Sequence, residues 1–217
     1  MAHEQSRRHS EYRASTDKVL QLTAHGRAFR SSVGSWRWSA DSAQTVSDVC
    51  CSRRPSRWTA LMDLRITTAD FGNADQCAAI VAILDSFARG PGGQNAPLDD
   101  FARENLVKGL ANQPMAVVYL AFSESRAVGV AVCVSSYSTF TGKPMINVRD
   151  LAVLPEFQNQ GVGRALLDRV ERDARSQGCC RVTLEVEDSN VGAKRLYKNL
   201  GFGPWDRLTL HVSKRLD

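Results

Sequence analysis

Residues 145–200 read as strand, helix, strand, helix, and this run limits the chain to folds that lay helices against a sheet. Residues 145–154 form the first strand, ending just before Pro155. Helix 162–177 follows, with Leu166, Val170 and Ala174 four residues apart on one side and charges elsewhere, and Gly178 stops it. Val182, Leu184 and Val186 then alternate with Thr183, Glu185 and Glu187 over strand 181–187. A second helix runs from about Val191 to Leu200 and ends at Gly201, and residues 207–213 alternate again as a last strand.

Upstream, Leu64, Ile66 and Thr68 open the periodic part of the chain as a strand. Cys77, Ile80, Val81, Leu84, Phe87 and Ala88 repeat at helical spacing until Pro91-Gly92-Gly93. Pro97 with Asp99 and Asp100 starts another helix, which carries Phe101, Leu106 and Leu110. The apolar runs Ala116–Phe122 and Ala127–Val134, joined by Ser123-Glu124-Ser125-Arg126, predict a β-hairpin. The order βααβββαβαβ gives a mixed α/β sandwich around one sheet.

Residues 1–61 lack either period and are dominated by Ser, Arg and Thr, so they read as a disordered basic leader before a domain at 62–217. Met62 is an alternative start of translation. The formal net charge of +5 lies in that leader, with ten Lys/Arg against five Asp/Glu, while residues 62–217 hold eighteen of each. The neutral balance of the periodic part argues against a nucleic-acid partner. No run of about 18 apolar residues predicts a membrane span, and no signal peptide is evident, which points to the cytoplasm. Cys50, Cys51, Cys77, Cys133, Cys179 and Cys180 fit neither a zinc spacing nor a disulfide framework, so no metal is expected. Cys77, Cys133, Cys179 and Cys180 read as packing residues.

Chemistry concentrates in Gln158-Asn159-Gln160-Gly161-Val162-Gly163-Arg164, between a strand and a strongly amphipathic helix. Gly161 and Gly163 carry no Cβ, so a phosphate can approach the backbone, and successive amides at a helix start suit a pyrophosphate. The segment is not a P-loop, and Leu166 breaks the dinucleotide fingerprint Gly-x-Gly-x-x-Gly.

Residues 149–163, Arg-Asp-Leu-Ala-Val-Leu-Pro-Glu-Phe-Gln-Asn-Gln-Gly-Val-Gly, resemble the acetyl-CoA signature of the GNAT family of N-acetyltransferases. Asn190-x-x-Ala193-x-x-x-Tyr197-x-x-x-Gly201-Phe202 resembles the family's next element at its expected distance. The resemblance spans roughly residues 63–213. It implies a GNAT-type α/β fold: a mixed, mostly antiparallel sheet flanked by helices, with a splayed pair of parallel strands formed by 145–154 and 181–187.

The same resemblance implies acetyl-CoA as cosubstrate and a primary amine of a small molecule or protein as acceptor, joined by direct attack. It assigns main-chain groups of Leu151, Ala152 and Val153 to the pantetheine arm. The amides of Gln158, Asn159, Gln160, Gly161, Val162, Gly163 and Arg164 go to the pyrophosphate. Asn190 is implied near the pantetheine or thioester, and Tyr197 at the coenzyme sulfur as general acid. The Val153 N–H is implied at the thioester oxygen, where charge develops. A phenol with a reference pKa near 10 keeps its proton at neutral pH and can protonate a departing thiolate. Glu185, Glu187 and Asp150 are candidates for the base, Glu185 foremost, and pairing with Arg149 or Arg181 is their alternative role. A non-catalytic acyl-CoA-binding module is the alternative to an enzyme, and a homodimer is compatible with either.

Residues 137–144, Tyr-Ser-Thr-Phe-Thr-Gly-Lys-Pro, further resemble the diamine and thialysine acetyltransferase branch. That branch carries Glu before the strand Asp, where this chain has Arg149. The arginine removes an anion that would attract a polyamine and favours an acceptor bearing a carboxylate.

Overall fold

A computed structural model describes residues 64–205 and Lys214. The predicted leader and the strand at 207–213 lie outside the described residues. The elements are β1 (Leu64–Thr68), α1 (Ala74–Arg89), α2 (Asp100–Ala111), β2 (Ala116–Ser123), β3 (Arg126–Ser138), β4 (Lys143–Val153), a 3-10 turn (Pro155–Phe157), α3 (Val162–Ser176), β5 (Val182–Leu184) and α4 (Val191–Asn199). Among the described residues five strands lie in sequence order; all neighbours are antiparallel except the parallel β4 and β5. Helices pack on both faces, giving the mixed α/β architecture that the sequence predicts.

Alternation along the strands feeds two cores. On one face Tyr119, Ala131, Cys133, Ile146 and Val148 meet Val162, Leu166, Leu167, Val170 and Ala174 of α3, with Tyr197 of α4. On the other, Val118, Leu120, Val130, Val132 and Ala152 meet Ile80, Ile83 and Leu84 of α1. Each large aliphatic side chain buried in this way is worth about 1.5–3 kcal/mol. α2 buries no residue fully and rests on this second core through Leu106, Val107 and Leu110.

Polar contacts lock α3 in place. The Tyr119 hydroxyl donates to Asp173 (2.8 Å), Arg169 Nε donates to the same carboxylate (2.9 Å), and Arg169 Nη1 donates to the Ile66 carbonyl (3.0 Å). One α3 pair therefore ties the helix to β1 and β2. The helix ends as expected, with Gly178 at φ +70°.

Two departures from the sequence reading bear on the site. β5 covers only Val182–Leu184, shorter than the expected 181–187, because its ladder with β4 ends at Val148 opposite Leu184. Val132 of β3 faces Asp150, and Cys133 faces Val148, so Arg149 is an extra residue in β4: a β-bulge. Asn147 Nδ2 donates to Thr183 Oγ1 (3.0 Å) beside the last rung of the β4–β5 ladder, Val148 opposite Leu184. The second departure is Cys180, which is exposed rather than packed and accepts a hydrogen bond from Thr141 Oγ1 (3.2 Å).

Candidate active site

Among the described residues, three of the four α-helices are capped by a side chain: Asn73 accepts from the Gln76 N–H on α1, Asp99 from Ala102 on α2, and Asn190 from Ala193 on α4. α3 has no such cap. Its N-cap is Gly161, and its first turn holds no acidic residue. The first helical hydrogen bond runs from the Ala165 N–H to the Gly161 carbonyl (2.9 Å), so the amides of Val162, Gly163 and Arg164 precede it. These amides and the positive end of the helix dipole make a site for an anion.

The bend before them needs its glycine. Gly161 has φ +89°, and nothing lies within 4 Å of where a Cβ would stand, so the approach is open. Asn159 also takes a left-handed conformation, φ +60°, which asparagine tolerates. Gly163 differs from the sequence reading. Its missing Cβ faces the Leu196 side chain at 3.3 Å, with Leu151 and Val153 at 4.0 Å. This glycine lets α3 pack close against α4 and β4, and of the two glycines it is Gly161 that faces open space.

The same first turn therefore sits beside the open edge of β4. Beyond Val148 and Leu184 the parallel ladder stops, while β4 continues to Val153 against β3. The Leu154 N–H is spent on the Val128 carbonyl across that antiparallel side (2.9 Å). Main-chain groups of successive strand residues point to opposite edges, so the Val153 N–H faces the edge that β5 has left, as does that of Leu151. Gln158 Nε2 donates to the Val153 carbonyl (3.2 Å), and Gln160 Nε2 donates to the Glu156 carbonyl (2.6 Å), which fixes the turn between strand and helix. Leu151 and Val153 direct their side chains to the α3 core, and Ala152 points to the α1 core.

Tyr197 on α4 is 6% exposed, packs in the α3 core and lies 5.8 Å, centroid to centroid, from Phe202. Burial pushes its phenol above the ordinary value, so it holds its proton at neutral pH. Asn190 holds the start of the same helix, and its amide reaches the α1–α2 loop at Gly92. Glu185 lies beyond the end of β5, exposed, with its carboxylate 3.9 Å from the Arg149 guanidinium. Glu187 is exposed and accepts from Ser189 Oγ (3.4 Å).

Asp150 has a different setting. Without the bulge it would fall on the α3 side with Ile146 and Val148. The extra residue turns it to the other face, opposite Val132, where Ala152 also lies. There Asp150 lines a groove of about 440 Å³ with Leu84, Phe101, Leu106, Leu110 and Val132. Burial raises its carboxyl above the ordinary value, and neighbouring Arg149 opposes the shift. Sequence reasoning named Asp150 only as one of three acids and missed the groove. The readable signal was the change of apolar phase along β4, from Ile146 and Val148 to Leu151 and Val153.

The Acetyltransferase (GNAT) family model matches residues 80–202. Among curated relatives, a thialysine N-epsilon-acetyltransferase of Mus musculus is 36% identical over 77 residues, 36% of this chain and 45% of that protein. A ribosomal protein bS18-alanine N-acetyltransferase of Escherichia coli K12 is 43% identical over 53 residues, 24% of this chain and 36% of that one. The chain thus spans under half the length of the curated relatives it matches. A solved aminoglycoside acetyltransferase from an uncultured soil metagenomic sample, in complex with trehalose, shares the fold at TM-score 0.59 and 21% identity, over 71% of this chain and 97% of that one. An aminoglycoside N-acetyltransferase in complex with CoA aligns at TM-score 0.57 and 17% identity, over 71% and 97%.

Proposed function

This chain belongs to the acetyltransferase (GNAT) family, and from that premise we propose that it transfers the acetyl group of acetyl-CoA to a primary amine. The observation that carries the reading is the uncapped α3 N-terminus set against the vacated edge of β4. The first offers free amides for a pyrophosphate, and the second offers main-chain groups to an extended, peptide-like arm. The residues fit the cosubstrate on both counts.

In this reading the turn Gln158–Arg164 holds the pyrophosphate, and Leu151, Ala152 and Val153 flank the pantetheine, with Asn190 bordering it from α4. Acetyl-CoA supplies a thioester, whose acyl carbon forms the new C–N bond as its C–S bond breaks. The Val153 N–H stabilises the developing oxyanion. Tyr197 delivers its proton to the departing sulfur, and the surplus ammonium proton passes to Asp150, directly or through water. Asp150 is favoured over Glu185 because its raised pKa suits proton acceptance nearer neutrality, whereas Glu185 is held at the surface by Arg149.

Calorimetry with acetyl-CoA and thiol release with an amine panel test the reading. Saturable binding with amine-dependent release is expected. No binding at all rejects it, and binding without release under any amine leaves only a binding module. Tyr197→Phe is expected to lower turnover by about 10²-fold with acetyl-CoA affinity nearly unchanged. An unaltered rate would remove Tyr197 from the acid role.

A further inference from the structure

The groove beside Asp150 has a chemical character that restricts what can enter it. Its walls come from α1, α2 and β3 through Leu84, Leu106, Leu110 and Val132, with Phe101 at the rim, 77% exposed. Among the described residues Asp150 is the one ionisable side chain that lines it, and Asn105 is the one amide.

We propose that the acceptor is a small molecule with a single primary amine on an apolar body, its nitrogen held by Asp150 and its body against the α2 face of the groove. The inference rests on the acetyltransferase reading above and narrows its substrate.

Charge complementarity supplies the first argument. One half-buried carboxylate satisfies one ammonium, and among the described residues no second anion lines the groove for a second one. Arg149, immediately before Asp150, lies outside the groove with its guanidinium 3.9 Å from the Glu185 carboxylate, so it brings no anion to the lining. The apolar walls supply the second. A further ammonium on the body would be stripped of water against leucine and valine without a partner, at a cost that an alkyl or aryl group does not incur. Recognition of a peptide fails on the same ground. Each peptide unit brings a donor and an acceptor that need partners, and the lining side chains offer one amide and one carboxylate.

Phe101 gives the proposal a handle that does not threaten folding, because its ring lies outside the cores. The experiment compares kcat/KM of the full chain for hexylamine and 2-phenylethylamine with values for putrescine, spermidine and a tripeptide beginning with phenylalanine. Acetyl-CoA affinity is measured in parallel by calorimetry. The apolar monoamines are expected to exceed the diamine, the polyamine and the peptide by at least about tenfold, the size of discrimination that small changes in an apolar pocket produce. Phe101→Ala is expected to lower the ratio of phenylethylamine to ethylamine by about tenfold through KM rather than kcat.

Preference for spermidine or putrescine overturns the inference while leaving the acetyltransferase reading intact, and so does preference for the peptide. An unchanged phenylethylamine-to-ethylamine ratio in Phe101→Ala overturns the placement of the body. Loss of acetyl-CoA binding in the unaltered chain instead defeats the parent reading.

Discussion

Asp150 is a carboxyl that the fold keeps half-covered at an energetic cost. Burial raises its pKa above the ordinary 3.8, with Arg149 working against the shift. The native state therefore holds the proton to higher pH than the unfolded chain does. The stability from this group is fully present below about 3.8 and is lost as pH rises through the folded pKa. At about pH 7 the ionised side chain costs stability that an amide would not. Asp150→Asn is accordingly expected to raise the Tm at about pH 7, with the gain shrinking toward about pH 4, while acetyl transfer falls. Thermal melts across that range check it; a gain that does not vary with pH assigns the effect to packing instead.

At the scale of the element, β4 is a strand with one residue too many. Arg149 has no opposite number on β3, and the residues on either side of it keep their faces because the ladder skips it. Deleting Arg149 would heal the ladder: Val148 would stay on the α3 side, and Asp150 and Ala152 on the α1 side. The deletion variant is expected to fold with a near-native circular dichroism spectrum, since no core contact is removed. Its acetyl-CoA affinity is expected to fall by at least about tenfold, because the local bend and twist that a bulge brings are lost with it. Retained affinity in the folded variant would separate cosubstrate binding from the bulge.

For the whole molecule, the fold was legible wherever periodicity was strong. Leu166, Val170 and Ala174 located α3 within a residue, and the hairpin of β2 and β3 followed from two apolar runs and a short polar link. β5 was over-read because Val182, Leu184 and Val186 keep alternating and packing after the ladder ends at Leu184. Pairing depends on the partner strand, and that information does not reside in the segment itself. The turn Gln158–Arg164 was legible from its glycines, although Gly163 serves helix packing. The groove was not, because four separated segments build it and its single acid owes its orientation to a bulge. The domain assignment carries its own expectation: a chain beginning at Met62 should bind acetyl-CoA as tightly as the full chain. A collapse of affinity in calorimetry would give residues 1–61 a part in the site.

Among the described residues no strand pairs with β4 past Val148 on the β5 side, and the amides of Leu151 and Val153 are aimed outward there. An unclaimed margin of this kind is a template for any extended segment, including that of a neighbouring copy. On the proposed reading, acetyl-CoA laid along it would act both as reactant and as a shield against self-association. If acetyl-CoA lies along it as proposed, protein kept without acetyl-CoA is expected to clump more readily.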